Sequence, residues 1–279
     1  MRRTAMDLLQ QPKRADKGLV PVRSAWKKRV NAWRKRTPFN PYWIELRWLR
    51  RVTERLAPHA RGVTLDVGVG EKPYGHLFAP HVTQYVGLEY PPVADNLHPE
   101  IWGMLERIRG IVDIFGDGQR MPFASASFDT ALALEVLEHM RDPDACLAEI
   151  SRVLRPGGAL LLTVPFVAPL HQWPFDYWRF TPRGVEALLE RHGFAIERVE
   201  ARGNFASATG STFAHWLLRT FGSRGRQHDG SVTLSRWRAP LVLPVIAAVQ
   251  LFFALCEKWS TDDGSCLGYA VVARLRPVA

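Results

Sequence analysis

Three acidic residues stand where short apolar runs end: Asp66 within Val63-Thr64-Leu65-Asp66-Val67-Gly68-Val69-Gly70, Glu89 after residues 84–88, and Asp117 after residues 110–115. Glycine permits backbone conformations and close approaches denied to other residues, so Gly68 and Gly70 let a ligand lie against the chain. In an open α/β sheet ligands bind outside the carboxyl ends of the strands, which sets the three acids along one crevice. That layout is a nucleoside pocket. A nicotinamide dinucleotide fits it poorly, because the third glycine of G-x-G-x-x-G is here Pro73, and Glu71 would meet the pyrophosphate at the helix N-terminus. An acidic pocket suits a ligand that lacks phosphate and carries a positive centre.

The segments LDVGVGEKPY (65–74), VGLEY (86–90), GDGQRMPFASASFD (116–129), ALEVLEHMRDP (133–143) and EISRVLRPGGALLLTVP (149–165) follow one another in this order. Together they resemble the successive motifs of class I S-adenosylmethionine-dependent methyltransferases, above all the large group related to ubiquinone-biosynthesis enzymes. The resemblance implies that Asp66, Gly68 and Gly70 cradle the methionine and ribose of S-adenosylmethionine. It implies further that Glu89 accepts the ribose hydroxyls, that Asp117 with Gly118 takes the adenine, and that Glu135 borders the methionine end. A carboxylate accepts two bonds from a vicinal diol, and charge-assisted bonds are the stronger kind. The chain departs from the pattern at Lys72, where a third glycine is common, and this puts the loop shape in question.

Methyl transfer is an in-line displacement from a sulfonium, so the protein chiefly positions the acceptor and removes its proton. The groups for this must follow the fourth and fifth strands. Residues 165–181 form a stiff stretch of prolines and aromatics holding His171, Asp176, Tyr177 and Arg179. His171 is the candidate general base, since imidazole titrates near neutrality; an imidazole merely bonding a loop carbonyl is the competing reading. Tyr177 and Arg179 orient the acceptor or fix the loop. The phrase DYWRFTP resembles methyltransferases of bacterial glycan, lipid-linked sugar and secondary-metabolite pathways. Glu135, Glu138 and His139, at i, i+3 and i+4 of one helical face, could hold a divalent metal. That E-x-x-E-H resembles the metal site of ubiquinone-pathway O-methyltransferases and small-RNA 2′-O-methyltransferases. Metal-free relatives also carry it, so no metal is expected.

The elements that position these groups alternate strand and helix. Strands are expected near 63–67, 84–90, 111–115, 128–134, 159–164, 194–200 and 267–275, with helices over 40–56, 143–154 and 182–192. Repeated alternation implies a mostly parallel sheet covered on both faces. The expected fold is α/β: a Rossmann-like seven-stranded sheet with a basic arm (1–38) before the methyltransferase domain (39–279). Asn40 caps the first helix with Pro41 at its first position, and Gly157-Gly158 turns the chain into the fifth strand.

The charge is unevenly placed. Residues 1–36 hold twelve lysines or arginines against Asp7 and Asp16, and so account for the whole net charge of +10. Trp26 and Trp33 interleave with that charge. A solvated tail, a basic helix on an anionic membrane, and an RNA footprint all suit such an arm. Met1-Arg2-Arg3-Thr4 opens no apolar stretch, so no secretory signal is expected. Cys146, Cys256 and Cys266 have no metal-like spacing and fit a reduced, cytoplasmic setting.

Residues 203–264 exceed the plain fold as an insertion or lid. Residues 240–256 are apolar and uncharged, about 26 Å of helix and short for a comfortable span. A buried or lid helix is expected, or one dipping into a membrane face. The expected acceptor is a hydroxyl on a lipophilic or lipid-linked small molecule, glycan or quinone-like. An RNA methyltransferase and a non-catalytic cofactor-binding partner subunit are the alternatives; the intact acidic triad speaks against the latter.

Overall fold

A computed structural model describes residues 36–90, 111–172, 174–226 and 232–277. Residues 1–35 of the basic arm, Gly110 at the expected start of the third strand, and Trp173 lie outside the described residues.

Among them, seven strands form one sheet in the order β3-β2-β1-β4-β5-β9-β6. These are β1 (Val63–Val67), β2 (Gln84–Glu89), β3 (Ile114–Phe115), β4 (Phe128–Leu134), β5 (Leu154–Pro165), β6 (Phe194–Arg202) and β9 (Gly268–Leu275). The pairs β1–β2, β1–β4, β2–β3 and β4–β5 are parallel, whereas β9 runs antiparallel to both β5 and β6. The strand order reverses between β1 and β4, and their carboxyl ends open the crevice where such sheets bind ligands. A short hairpin, β7 (Ser223–Arg226) with β8 (Val232–Leu234), lies within the expected insertion 203–264.

The α/β expectation is met, and the burial pattern shows why. Side chains alternate across a strand, so Leu160, Leu162 and Val164 of β5 face one side and Leu161 the other. The first side packs on α3 (Pro143–Val153) and α4 (Pro182–Arg191) through Leu147, Ile150, Val185 and Leu189. The second packs on α1 (Trp43–Leu56) and the short α2 (Gly75–Phe78) through Val52, Leu56 and Phe78. Helix starts read from sequence are realised at α3 and α4. Asp142 accepts from Ala145 N at 3.0 Å, and Thr181 accepts from Gly184 N at 3.1 Å, each followed by proline.

Three expectations are corrected. Helix α1 begins at Trp43 rather than Asn40, because the Asn40 side chain accepts from Tyr42 N at 3.1 Å and makes its own turn first. Strand β5 is assigned from Leu154, with Gly157-Gly158 inside it: the pairing jumps from Phe128–Leu154 to Thr130–Ala159, and residues 155–158 loop out. Helix α6 (Ala239–Cys256) is not a buried helix, since only Ile246, Ala247 and Gln250 are fully buried. It packs on α5 (Phe205–Leu217), which starts with an Asn204–Ser207 capping box.

Candidate active site

The loop after β1 is locked to the end of β2. Gly68 N and Val69 N donate to the Leu88 carbonyl at 2.8 and 3.1 Å, and Gly70 N donates to Glu89 Oε2 at 2.8 Å. Gly68 has φ 70° and a Cβ there would strike Val136 at 2.7 Å; Gly70 has φ 49° and faces open space. Glycine is thus required at 68 by contact and leaves room at 70 for a ligand. Lys72 answers the question its departure raised: it adopts φ 53°, the conformation a glycine would take, and its ammonium lies 3.9 Å from the Tyr85 ring centre.

The acids differ in electrostatic state. Asp66 is buried in β1 and accepts from the Tyr85 hydroxyl at 2.6 Å. Burial pushes its carboxyl up to about 7, against the opposing pull of Tyr85 and Lys72. Burial also raises Glu89, countered by the N–H groups of Gly70 and Tyr90. Asp117 accepts from Gln119 N at 2.8 Å and Gln119 Nε2 at 3.3 Å. Gly118 is packed so that a Cβ would meet Met140 at 3.0 Å.

After β4 the geometry departs from expectation. Glu135 has φ 56° and only a 3₁₀ turn follows at Leu137–His139, so Glu135, Glu138 and His139 do not share a helical face. Glu135 instead pairs with Arg202 at 2.9 Å, at the carboxyl end of β6. Arg202 is buried; burial disfavours its charge, but Glu135, Glu45 and Glu138 more than compensate and raise it. Gly268, paired with Arg202 across the sheet, leaves room for this guanidinium. Sequence reasoning missed Arg202; a charged residue closing an otherwise strand-like run was its one signal.

The loop after β5 is stapled by Asp176, another residue whose role the sequence left unassigned. Arg179 clasps its two oxygens at 2.6 and 2.8 Å and also donates to the carbonyls of Ala168, Pro169 and Trp178. Burial would raise the Asp176 carboxyl, yet this fork and the His171 N–H hold it below the usual carboxylate range. Arg179 therefore fixes the loop, and its donors are turned to that task. Tyr177 N and Trp178 N donate to the Glu138 carbonyl, and Trp178 Nε1 to the Met140 carbonyl at 2.9 Å, which ties the loop to the turn after β4. The Tyr177 side chain is exposed.

His171 makes the loop-carbonyl contact of the competing reading. Nδ1 lies 3.2 Å from the Pro169 carbonyl and 3.3 Å from Asp176 Oδ2, two acceptors that favour a hydrogen on this nitrogen. The His171 ring meets that of His139 edge-on at 4.9 Å, and His139 Nδ1 is held by the Phe175 carbonyl at 2.7 Å. Burial lowers the His139 pKa. Glu138 completes a group in which one ligand atom each from Glu138, His139 and His171 lies within 4.8 Å of the others. His171 thus replaces Glu135 in the expected trio. Both Glu138 carboxyl oxygens are buried without a hydrogen-bond partner among the described residues, and burial reinforced by Glu135 raises its pKa well above the usual range.

Beside this loop runs an open groove of about 570 Å³, lined mainly by Val167, Phe205, Ala208, Thr212, Phe213 and Trp216. Its size is that of a small-molecule site.

The family profile described as a methyltransferase domain matches residues 65–162, from β1 into β5. An O-methyltransferase of Aspergillus nomiae is 32% identical over 161 residues, covering 54% of this chain and 72% of that protein. The chain belongs to the class I S-adenosylmethionine-dependent methyltransferases. Another relative within the methyltransferases, O-methyltransferase resE of Aspergillus sclerotiorum, is 34% identical over 117 residues, or 42% of this chain and 44% of that one. The chain thus spans less than half the length of that relative. Among solved structures, the complex of the Haloferax volcanii methyltransferase activator Trm112 with its assigned methyltransferase gives a TM-score of 0.50 at 15% identity. It covers 94% of this chain and 100% of that chain, a likeness of fold alone.

Proposed function

We propose that this methyltransferase moves the methyl group of S-adenosylmethionine to a hydroxyl of a lipophilic small molecule, glycan or quinone-like. The observation that carries the reading is the shared loop: His171 and the groove wall Val167 both belong to the stapled segment after β5, beside the acid-lined crevice. The printed activity of the relatives supports oxygen as the acceptor atom. Asp66, the 68–70 loop, Glu89 and Asp117 with Gly118 hold the cofactor in this reading, and Glu135 borders its methionine end. The acceptor hydroxyl gives its proton to His171 Nε2 as its oxygen bonds the methyl carbon; the carbon–sulfur bond breaks and S-adenosylhomocysteine leaves. His171 is competent for this because Asp176 and Pro169 fix its orientation.

Calorimetric titration with S-adenosylmethionine, followed by label transfer to quinones and polyprenyl-linked sugars, tests the reading. His171→Ala is expected to bind the cofactor as before and lose about 10²-fold or more in transfer rate. Absence of cofactor binding overturns the proposal, and transfer to RNA in place of lipophilic acceptors overturns its acceptor half.

One observation favours a second reading, in which a divalent cation assists. Glu138, buried with no hydrogen-bond partner among the described residues, has His139 Nε2 at 3.8 Å and His171 close by, and each histidine has its Nδ1 against a loop carbonyl. A cation there would polarise the acceptor hydroxyl. Turnover with and without a chelator decides it; loss of turnover that added metal restores would establish the cation.

A further inference from the structure

Helix α6 is strongly apolar and thinly covered. Residues 239–256 contain no charge, and of its residues only Ile246, Ala247 and Gln250 are buried. Away from them Leu241, Val245, Ala248, Phe252, Leu255 and Trp259 recur in steps of four and three, which sets them in one exposed stripe. Leu241 is 75% exposed, and Trp237 and Trp259, just outside the two ends, are 79% and 76% exposed. The neighbouring α5 and the turn that follows it expose Phe213, Trp216 and Phe221, with Phe213 stacked on Trp216 at 5.3 Å.

The chemistry of the occupant follows from what flanks the stripe. A helix of a soluble partner is met by charged flanking positions, as in a coiled coil. Here Val242 and Val249 pack towards α5 and Pro244 and Leu251 flank the other side, and hydrocarbon requires no charge of them. Charge appears only at the helix ends. Exposed Arg236 and Arg238 precede α6 and exposed Lys258 follows. Glu257 is taken up by Arg47, with Trp48 Nε1 at 2.9 Å and Ser207 Oγ at 2.8 Å; the acids left near that end are Asp262 and Asp263. The basic arm also joins the body at this helix: Gln250 Nε2 donates to the carbonyls of Pro38 and Asn40 at 2.7 and 2.9 Å. Residues 1–36, which precede that contact in the sequence, hold twelve basic residues.

We infer that α6 lies in the surface of an anionic phospholipid bilayer, with its Leu241–Trp259 stripe at the acyl boundary and Arg236 and Arg238 on the headgroups. Aromatic residues at the interface and a neighbouring basic segment are the two signals that hold a protein on such a surface. The helix lies along the membrane rather than through it, because α5 packs beside it and the chain after it returns to the sheet as β9. Phe213 and Trp216 also line the groove. A lipophilic acceptor then passes from bilayer to groove, and this last step alone rests on the proposed methyl transfer.

Flotation of the full chain with phosphatidylcholine vesicles, with and without phosphatidylglycerol, tests the docking independently of any activity. Leu241→Asp/Phe252→Asp changes only exposed side chains, and circular dichroism and thermal unfolding verify that it folds. The wild type is expected to float with anionic vesicles, and the floating fraction to fall about tenfold in the double variant and without phosphatidylglycerol. Failure of the wild type to float, or flotation undiminished by the two aspartates, overturns the inference. Resistance to alkaline carbonate would make α6 a span, and a lipid-free dimer that the same variant dissociates would give the stripe to a second copy; either result overturns it too.

Discussion

Gly70 N donates to Glu89 Oε2 at 2.8 Å, so the residue that closes β2 also holds the loop that leaves β1. One carboxylate thereby shapes the crevice and offers its remaining lone pairs to a ligand. Glu89→Ala should weaken S-adenosylmethionine binding about 10- to 100-fold, since hydrogen bonds to a charged group contribute roughly 1.5–3 kcal/mol. Titration calorimetry measures it. A loss of under about threefold would remove Glu89 from the cofactor site.

Asp66 gives a pH dependence of unusual sign for a carboxylate. Its folded value of about 7 stands above the ordinary 3.8, so between these values the folded state binds more protons than the unfolded one. Stability therefore falls as pH rises from about 4 to 7 and levels off above. The full window is worth at most about 4 kcal/mol. Asp66→Asn removes the titration, so its stability relative to wild type should climb by about 2–4 kcal/mol between pH 4.5 and 8 in urea unfolding. A difference that ignores pH would show that Asp66 titrates normally. If the methionine ammonium sits at Asp66, cofactor binding near pH 6.5 also releases protons, read from calorimetry in buffers of unlike ionisation enthalpy.

The strands and their carboxylates were legible because parallel strands buried on both faces read as continuous apolar runs, and β1 to β4 each end at or run into an acid or a glycine. The loop after β5 was legible as a stiff wall but not in its parts. Which of His171, Asp176 and Arg179 does chemistry and which holds shape depends on a bidentate clasp that sequence spacing does not encode. Glu135 misled for a related reason: i, i+3, i+4 spacing implies a helical face only where the backbone is helical, and φ 56° at Glu135 breaks it. The exposure of α6 was equally hidden, since uniform apolarity does not say which side is covered.

Glu138 makes a test of its own. Burial holds it well above the usual carboxylate range, which favours its neutral form. Glutamine matches a protonated glutamate in shape, so Glu138→Gln should stay within about 1 kcal/mol of wild type in thermal unfolding, while Glu138→Ala should lose about 1–3 kcal/mol. Repeating the melts with magnesium, manganese or zinc separates the two readings of the site. A cation that binds through Glu138 raises the wild-type midpoint and leaves Glu138→Gln unchanged.

Gly268 and Arg202 together predict where the fold is least forgiving. A Cβ at Gly268 would lie 2.2 Å from the Val164 carbonyl oxygen, which is backbone in the middle of the sheet, and 3.0 Å from Arg202 Nη2. Neither atom can withdraw without disturbing β5 or the Arg202–Glu135 pair. Gly268→Ala is therefore expected to destabilise by more than about 3 kcal/mol, despite adding one methyl group. Arg202→Met should lose roughly 3–5 kcal/mol, because it leaves Glu135 partly buried without its partner. Arg202→Met/Glu135→Gln should recover part of that loss, since the unpaired charge is gone. Urea unfolding of the three proteins supplies the numbers; a double variant no more stable than Arg202→Met would locate the loss in packing around the guanidinium instead of in its charge.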